Sequence, residues 1–175
     1  LSFPAVAQQP GKVHRVGYLA GGAPSVPAEF VQALRDLNYF EGKNIGLEFR
    51  TTAGNPGRSS DLIADLLRLK IDVLVAEGTG LALAAKKVTS TIPVVMTGAT
   101  DPVATGLVNS LARPGGNVTG LTSVTGELGG KLLDLLKEII PRLSRVIIPG
   151  PSAASPTEEL FMKETEIPAR ALKVQ

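Results

Sequence analysis

Ile71-Asp72-Val73-Leu74-Val75-Ala76-Glu77-Gly78-Thr79-Gly80 is the stretch on which the reading of the fold turns. It is apolar without interruption from Val73 to Ala76, as a strand covered on both faces has to be. Leu81-Ala82-Leu83-Ala84-Ala85-Lys86-Lys87-Val88 follows directly and reads as a helix over 81–88, its two lysines complementing the negative end of the helix dipole. A strand, a glycine-rich turn and a helix in succession make half of a βαβ unit.

The same pattern repeats on both sides. Upstream, 13–20 reads as a strand. Residues 27–39 read as a helix with Phe30, Leu34 and Leu37 on one face. Residues 44–50 read as a second strand, with Ile45, Leu47 and Phe49 alternating. Ser59 or Ser60 is placed to cap a helix carrying Leu62, Ile63, Leu66, Leu67 and Leu69 toward the core. Downstream come a strand at 92–97, a helix at 102–111 that opens on Pro102, and a short strand at 117–121. Strict alternation of strands and helices predicts an α/β fold: a parallel sheet with helices on both faces, right-handed crossovers and a flavodoxin-like strand order. Beyond it, 127–140 is an amphipathic helix (Leu132, Leu135, Leu136, Ile139, Ile140), 145–148 a strand and 156–172 a helix. The Gly/Thr/Ser-rich stretch from Gly120 to Gly126 divides the two halves. The expected organisation is a leader at 1–12, a first lobe at 13–121, a hinge at 122–126 and the start of a second lobe at 127–175.

Composition narrows the function. The chain has 175 residues, about one domain with some chain left over. Gly 19 and Pro 13 with 43% hydrophobic residues point to a packed core rather than disorder. No apolar run approaches the roughly 20 residues that span a bilayer. With no Cys and one His, disulfides, thiolate metal sites and Cys nucleophiles are excluded, and a His-based metal cage or a Ser–His–Asp triad is nearly untenable. A net charge of +2 from interspersed signs argues against a nucleic-acid binder. At the N-terminus, Ala5-Val6-Ala7 has the small-x-small form that precedes signal-peptidase cleavage, so 1–12 reads either as the tail of an export signal or as an apolar leader with no further role. The C-terminal residues read as a helix end followed by the first residues of a strand, as if the chain stopped inside a second domain.

In open parallel sheets ligands bind beyond the carboxyl ends of the strands, where strand order reverses; for order 2-1-3-4-5 that point lies between strands one and three. The two loops there are Gly21-Gly22-Ala23-Pro24-Ser25 and Glu77-Gly78-Thr79-Gly80. Glycine admits close backbone approach, and a helix N-terminus favours a carboxylate or phosphate. Thr79 would be both N-cap and ligand donor; alternatively, these glycines only make tight turns. A third loop, Gly98-Ala99-Thr100-Asp101-Pro102, offers Thr100 and Asp101, with helix capping the simpler role for Asp101. Glu77 has no visible carboxylate partner, which weakens it as a general base. His14 falls at the opposite end of the sheet. No dinucleotide or phosphate-loop fingerprint occurs. Asn117-Val118-Thr119 matches a glycosylation sequon but sits in an expected strand. The candidate ligand-binding set is Gly22, Ala23, Ser25, Gly78, Thr79, Gly80, Thr100 and Asp101, with no catalytic residue, metal or cofactor expected.

Several blocks together resemble one family: 30–45, ending Glu41-Gly42-Lys43-Asn44-Ile45; Val73-Leu74-Val75-Ala76-Glu77-Gly78-Thr79 with the helix after it; Asp101-Pro102-Val103-Ala104-Thr105-Gly106-Leu107-Val108; and, most specific, Ser110-Leu111-Ala112-Arg113-Pro114-Gly115-Gly116-Asn117-Val118-Thr119-Gly120. They are similar to the substrate-binding proteins of ABC transporters with a type I periplasmic-binding fold, of the tryptophan/tyrosine-type group. The resemblance implies two α/β lobes that clamp a small solute, export to the periplasm or another extracytoplasmic space, and delivery to a membrane permease. It implies ligand contacts at Gly78 and Thr79, at the Asp101-Pro102 loop and at the loop from Gly22 to Ser25. Asn38 stands where the family usually has Gly, and Ile148-Pro149-Gly150-Pro151 departs from its pattern. The expected ligand is a small carboxylate-bearing molecule such as an amino acid, and uncovered helix faces and strand edges leave self-association open. The rivals are a Rossmann-like enzyme using nucleotide or sugar phosphate, and the sensor core of a transcriptional regulator, for which the N-terminus leaves little room.

Overall fold

The computed structural model describes residues 13–123, 128–148 and 156–175. The expected leader, part of the expected hinge (124–126) and the Pro149-Gly150-Pro151 segment lie outside the described residues. Five strands, β1 (His14–Ala20), β2 (Ile45–Thr51), β3 (Val73–Glu77), β4 (Val94–Thr100) and β5 (Val118–Ser123), form one all-parallel sheet in the order β2-β1-β3-β4-β5. This is the strand order expected, and its reversal falls between β1 and β3.

Helices α1 (Ala28–Asp36), α2 (Ser59–Arg68) and α3 (Gly78–Val88) make the crossovers. Strand alternation sorts the core into two layers. Leu19, Leu74, Ala76, Val94 and Met96 face α2 and α3, where Ile63, Leu66, Ala82 and Ala85 are fully or almost fully buried. Tyr18, Ala20 and Val75 face the other way, toward Phe30 of α1 and Phe49 of β2. Tyr18 meets Phe30 edge-on at 5.3 Å and stacks on Phe49 at 6.3 Å. α1 ends where Asn38 takes φ 64; Asn38 N–H donates to Arg35 C=O and Tyr39 N–H to Leu34 C=O, the paired bonds that close a helix on a left-handed residue. Asn and Gly are the residues that occupy this conformation readily, which accounts for Asn38 at a position where glycine was expected.

Four expectations need correction. Residues 102–111 are turns, not a helix. Gly106 is left-handed (φ 72), and Lys86 Nζ donates to the carbonyls of Gly106 (2.6 Å) and Leu107 (3.1 Å), removing acceptors a continuing helix would use. The β-branched Val103, Thr105 and Val108 add little helix propensity. Neither Ser59 nor Ser60 caps α2: a 3-10 turn at Pro56–Arg58 runs straight into it, Asn55 accepts Gly57 N–H at 3.1 Å, and the Ser59 hydroxyl turns back to Pro56 C=O. α3 begins at Gly78 rather than Leu81, because a left-handed Gly78 (φ 74) turns the chain directly out of β3. Residues 145–148 form no ladder: Val146 N–H donates to Gln175 C=O and Gln175 N–H to Ser144 C=O, two rungs of a strand pair and no more.

β4 carries an irregularity between Met96 and Ala99, where its register on β5 shifts. Gly120 sits opposite at φ 139, and a Cβ there would lie 2.1 Å from Met96 C=O, so only glycine fits. After the sheet come α4 (Leu128–Ile139) and α5 (Pro156–Ala171), which pack on each other. Gly129 of α4 lies against Thr165 and Phe161 of α5, and Gly130 against Pro168. α4 buries Gly129 and Leu133; Leu132, Leu135, Leu136, Ile139 and Ile140, the apolar residues of the expected amphipathic helix, are exposed among the described residues.

Candidate ligand-binding crevice

The carboxyl ends of β1, β2 and β3 open into a groove of about 550 Å³, lined by Gly21, Thr52, Ser59, Glu77, Gly80 and Lys87 among others. Gly21 is its anchor. Its N–H donates to Glu77 Oε2 (3.0 Å), and its carbonyl accepts from Thr52 Oγ1 (2.6 Å) and Gly54 N–H (2.8 Å). The loop after β1 is thereby tied to the ends of both neighbouring strands. Thr52 and Gly54 were not singled out from the sequence; the only signal was their place just after an expected strand.

The β3–α3 turn is divided in its roles. Glu77 occupies the N-cap position, but its side chain makes no cap bond and serves Gly21 instead. The Thr79 hydroxyl is not a cap either. Thr79 is buried, and its Oγ1 accepts the Thr100 N–H of β4 at 2.9 Å. Gly78 follows the last pair of the β3–β4 ladder, Glu77–Thr97, and is itself the first residue of α3. The first-turn N–H groups of Thr79 and Gly80 have no i−4 carbonyl and no side-chain cap. A Cβ built on Gly78 or Gly80 meets nothing within 4 Å, so both border open space.

The remaining candidates spread around this turn. Gly22 and Ser25 are exposed on the loop after β1; Ala23 packs with the Tyr18 cluster. Thr100 is buried at the end of β4, its hydroxyl 3.4 Å from that of Ser123. Asp101 (φ 36) accepts Ala104 N–H on Oδ1 at 2.9 Å, so it caps a turn where a helix was expected. Burial raises the Tyr18 hydroxyl above the usual tyrosine range, the Glu77 carboxylate adds to the shift, and a Thr97 hydrogen bond opposes it. His14 lies at the far end of the sheet, 3.8 Å from Asp72. Asn117 Nδ2 donates to the carbonyls of Thr89 and Ile92, which staples β5 to the α3–β4 loop. Among the described residues no cluster of three or more His, Asp or Glu is arranged to hold a metal, and no helix is long and apolar enough to cross a membrane.

A five-stranded parallel sheet in this order, with helical crossovers and its crevice at the strand ends, is the α/β arrangement of the type I periplasmic-binding fold. The chain belongs to the ABC transporter substrate-binding protein family, whose profile matches residues 26–173. It is 35% identical over 117 residues to a tyrosine-binding protein of Clostridioides difficile (strain R20291), a match covering 67% of this chain and 33% of that one. Among solved structures it is similar to a conserved domain protein of Vibrio cholerae (TM-score 0.78, 28% identity, 94% of this chain and 56% of the other). It also shares its fold with an ABC domain from Streptococcus pneumoniae in complex with L-Trp (TM-score 0.75, 21% identity, 93% and 55%). The chain thus spans about half the length of these solved relatives and a third of the curated one.

Proposed function

We propose that this chain supplies one docking face of a solute-binding protein for an ABC importer, and that its solute is a small carboxylate-bearing molecule of the aromatic amino-acid type. The observation that carries the reading is the uncapped first turn of α3. Gly78 and Gly80 border open space at the point where strand order reverses, and the Thr79 and Gly80 N–H groups of that turn have no i−4 carbonyl and no cap from the Glu77 side chain. Such a turn carries about half a positive charge and suits a carboxylate. Gly22, Ala23, Ser25, Gly78, Thr100 and Asp101, on the loops around this turn, are the further candidate contacts, with Thr79 contributing its backbone rather than its hydroxyl. The tyrosine-binding relative supports the ligand class. Residues 122–126 serve as the hinge about which a second lobe closes on the solute, a change of population driven by contacts on both lobes. The protein works outside the cytoplasm, hands its solute to a membrane permease, and catalyses nothing.

The nucleotide-using alternative is disfavoured by the same turn. A phosphate loop after β1 needs its glycine amides free, whereas the Gly21 N–H is already taken by the Glu77 side chain. A thermal-shift comparison tests the choice. L-Tyrosine and L-tryptophan are expected to raise the melting temperature of the chain, while ATP and NAD leave it unchanged. Stabilisation by the nucleotides alone would overturn the proposal.

A further inference from the structure

We propose that Glu77 and Thr79 are positioning residues of this crevice: from the two ends of one turn they brace the loop after β1 and the end of β4, so that three backbone segments present a single rigid floor to the solute. The inference rests on the crevice being the docking site. It goes further by assigning to two side chains a role in holding the site rather than in touching the ligand.

The geometry is specific to these two side chains. Glu77 is the last residue of β3 and stands next to the β1 loop, and its carboxylate takes the Gly21 N–H at 3.0 Å. Two residues on, Thr79 lies in the first turn of α3, and its hydroxyl takes the Thr100 N–H at 2.9 Å. One brace therefore reaches toward β1 and the other toward β4, the two strands flanking β3. Each joins residues far apart in sequence, 56 positions for Glu77–Gly21 and 21 for Thr79–Thr100. Neither bond belongs to the strand ladders. The β3–β4 pairs end at Glu77–Thr97 while β4 runs on to Thr100, paired with Ser123 on the β5 side, so on its β3 side the Thr100 N–H meets the Thr79 hydroxyl beyond the ladder. The Gly21 carbonyl carries the first brace on to Thr52 and Gly54 after β2. The Thr100 hydroxyl carries the second toward Ser123 at the end of β5. A site whose polar groups are held by such bonds binds without having to order them first.

The test measures hydrogen exchange and L-tyrosine affinity on the same variants. Thr79→Val keeps the shape of the side chain and the Thr79 N–H but removes the acceptor for Thr100. It is expected to speed exchange of the Thr100 amide at least tenfold and to weaken L-tyrosine binding about tenfold, the scale of one lost hydrogen bond. Thr79→Ser is expected to restore both. Glu77→Leu should do the same at the Gly21 amide, with rescue by Glu77→Gln, whose amide oxygen still accepts. Unchanged exchange at Thr100 and Gly21, or weaker binding with amide protection intact, would overturn the positioning role. Gly80→Phe fills the open space without touching either brace. Full L-tyrosine binding by that variant would remove the crevice itself as the docking site. Its loss there, with binding intact in Thr79→Val and Glu77→Leu, would overturn the braces alone.

Discussion

At the scale of single residues, burial and charge act together on Tyr18. Its hydroxyl lies above the ordinary tyrosine value of 10.0, chiefly through desolvation and secondarily through the Glu77 carboxylate. A group whose folded value is raised contributes stability in full below the unfolded value and loses it as pH rises through the folded one. Above about pH 10 the unfolded chain releases the Tyr18 proton while the folded chain keeps it, so stability should decline with alkalinity. Urea titrations at pH 9 and at pH 11 are expected to show that decline, and Tyr18→Phe is expected to flatten it. A slope unchanged in Tyr18→Phe would assign the effect elsewhere. Thr79 shows where residue-level reading stopped. Its place after a strand and glycine marked it as important, but a Ser, Thr or Asp in that position caps its own helix often enough that the cap was the natural expectation. That the hydroxyl would instead reach a strand 21 positions further on depends on the packing of α3 against β4, which no local pattern encodes.

At the scale of elements, the five strands of the sheet were legible, whereas the helix expected at 102–111 and the strand expected at 145–148 did not form. The five strands were all expected, because an apolar β-branched run between turn residues has few other readings, and the observed ends differ by a few residues. The segment 102–111 began with proline, which suits a helix's first turn, and it contains Leu107 and Val108. Both residues are indeed buried, but through a series of turns. Lys86 decides the matter by bonding two carbonyls of that segment from α3, a contact between elements rather than within one. Lys86→Met keeps the aliphatic stem and removes both bonds. It should destabilise the chain by about 1–3 kcal/mol, as measured by urea unfolding, and raise exchange at the Ala104 and Thr105 amides. Wild-type exchange there would mean that Asp101 alone holds the turns.

At the scale of the molecule, the strand order and its reversal point followed from alternation and right-handed crossover, and they located the crevice. What alternation could not supply was the partition of apolar surface. Leu128, Leu132, Leu135, Leu136 and Ile139 form a continuous stripe on α4 at helical spacing, and all are exposed among the described residues. Stripes of this kind drive association. Analytical ultracentrifugation of the chain is expected to show oligomers that grow with concentration, and Leu132→Glu with Leu136→Glu is expected to return it to a monomer. Monomers at every concentration would mean that the stripe is too small or too curved to pair. The outer rim of β5 presents the opposite case. It ends the sheet among the described residues, and a terminal strand of this kind is a template on which foreign extended chains can stack. Gly120, held at φ 139 halfway along it, breaks the straight run of donors and acceptors that such stacking needs. The glycine that accommodates an irregular neighbour on the inside therefore also interrupts the regular outer edge.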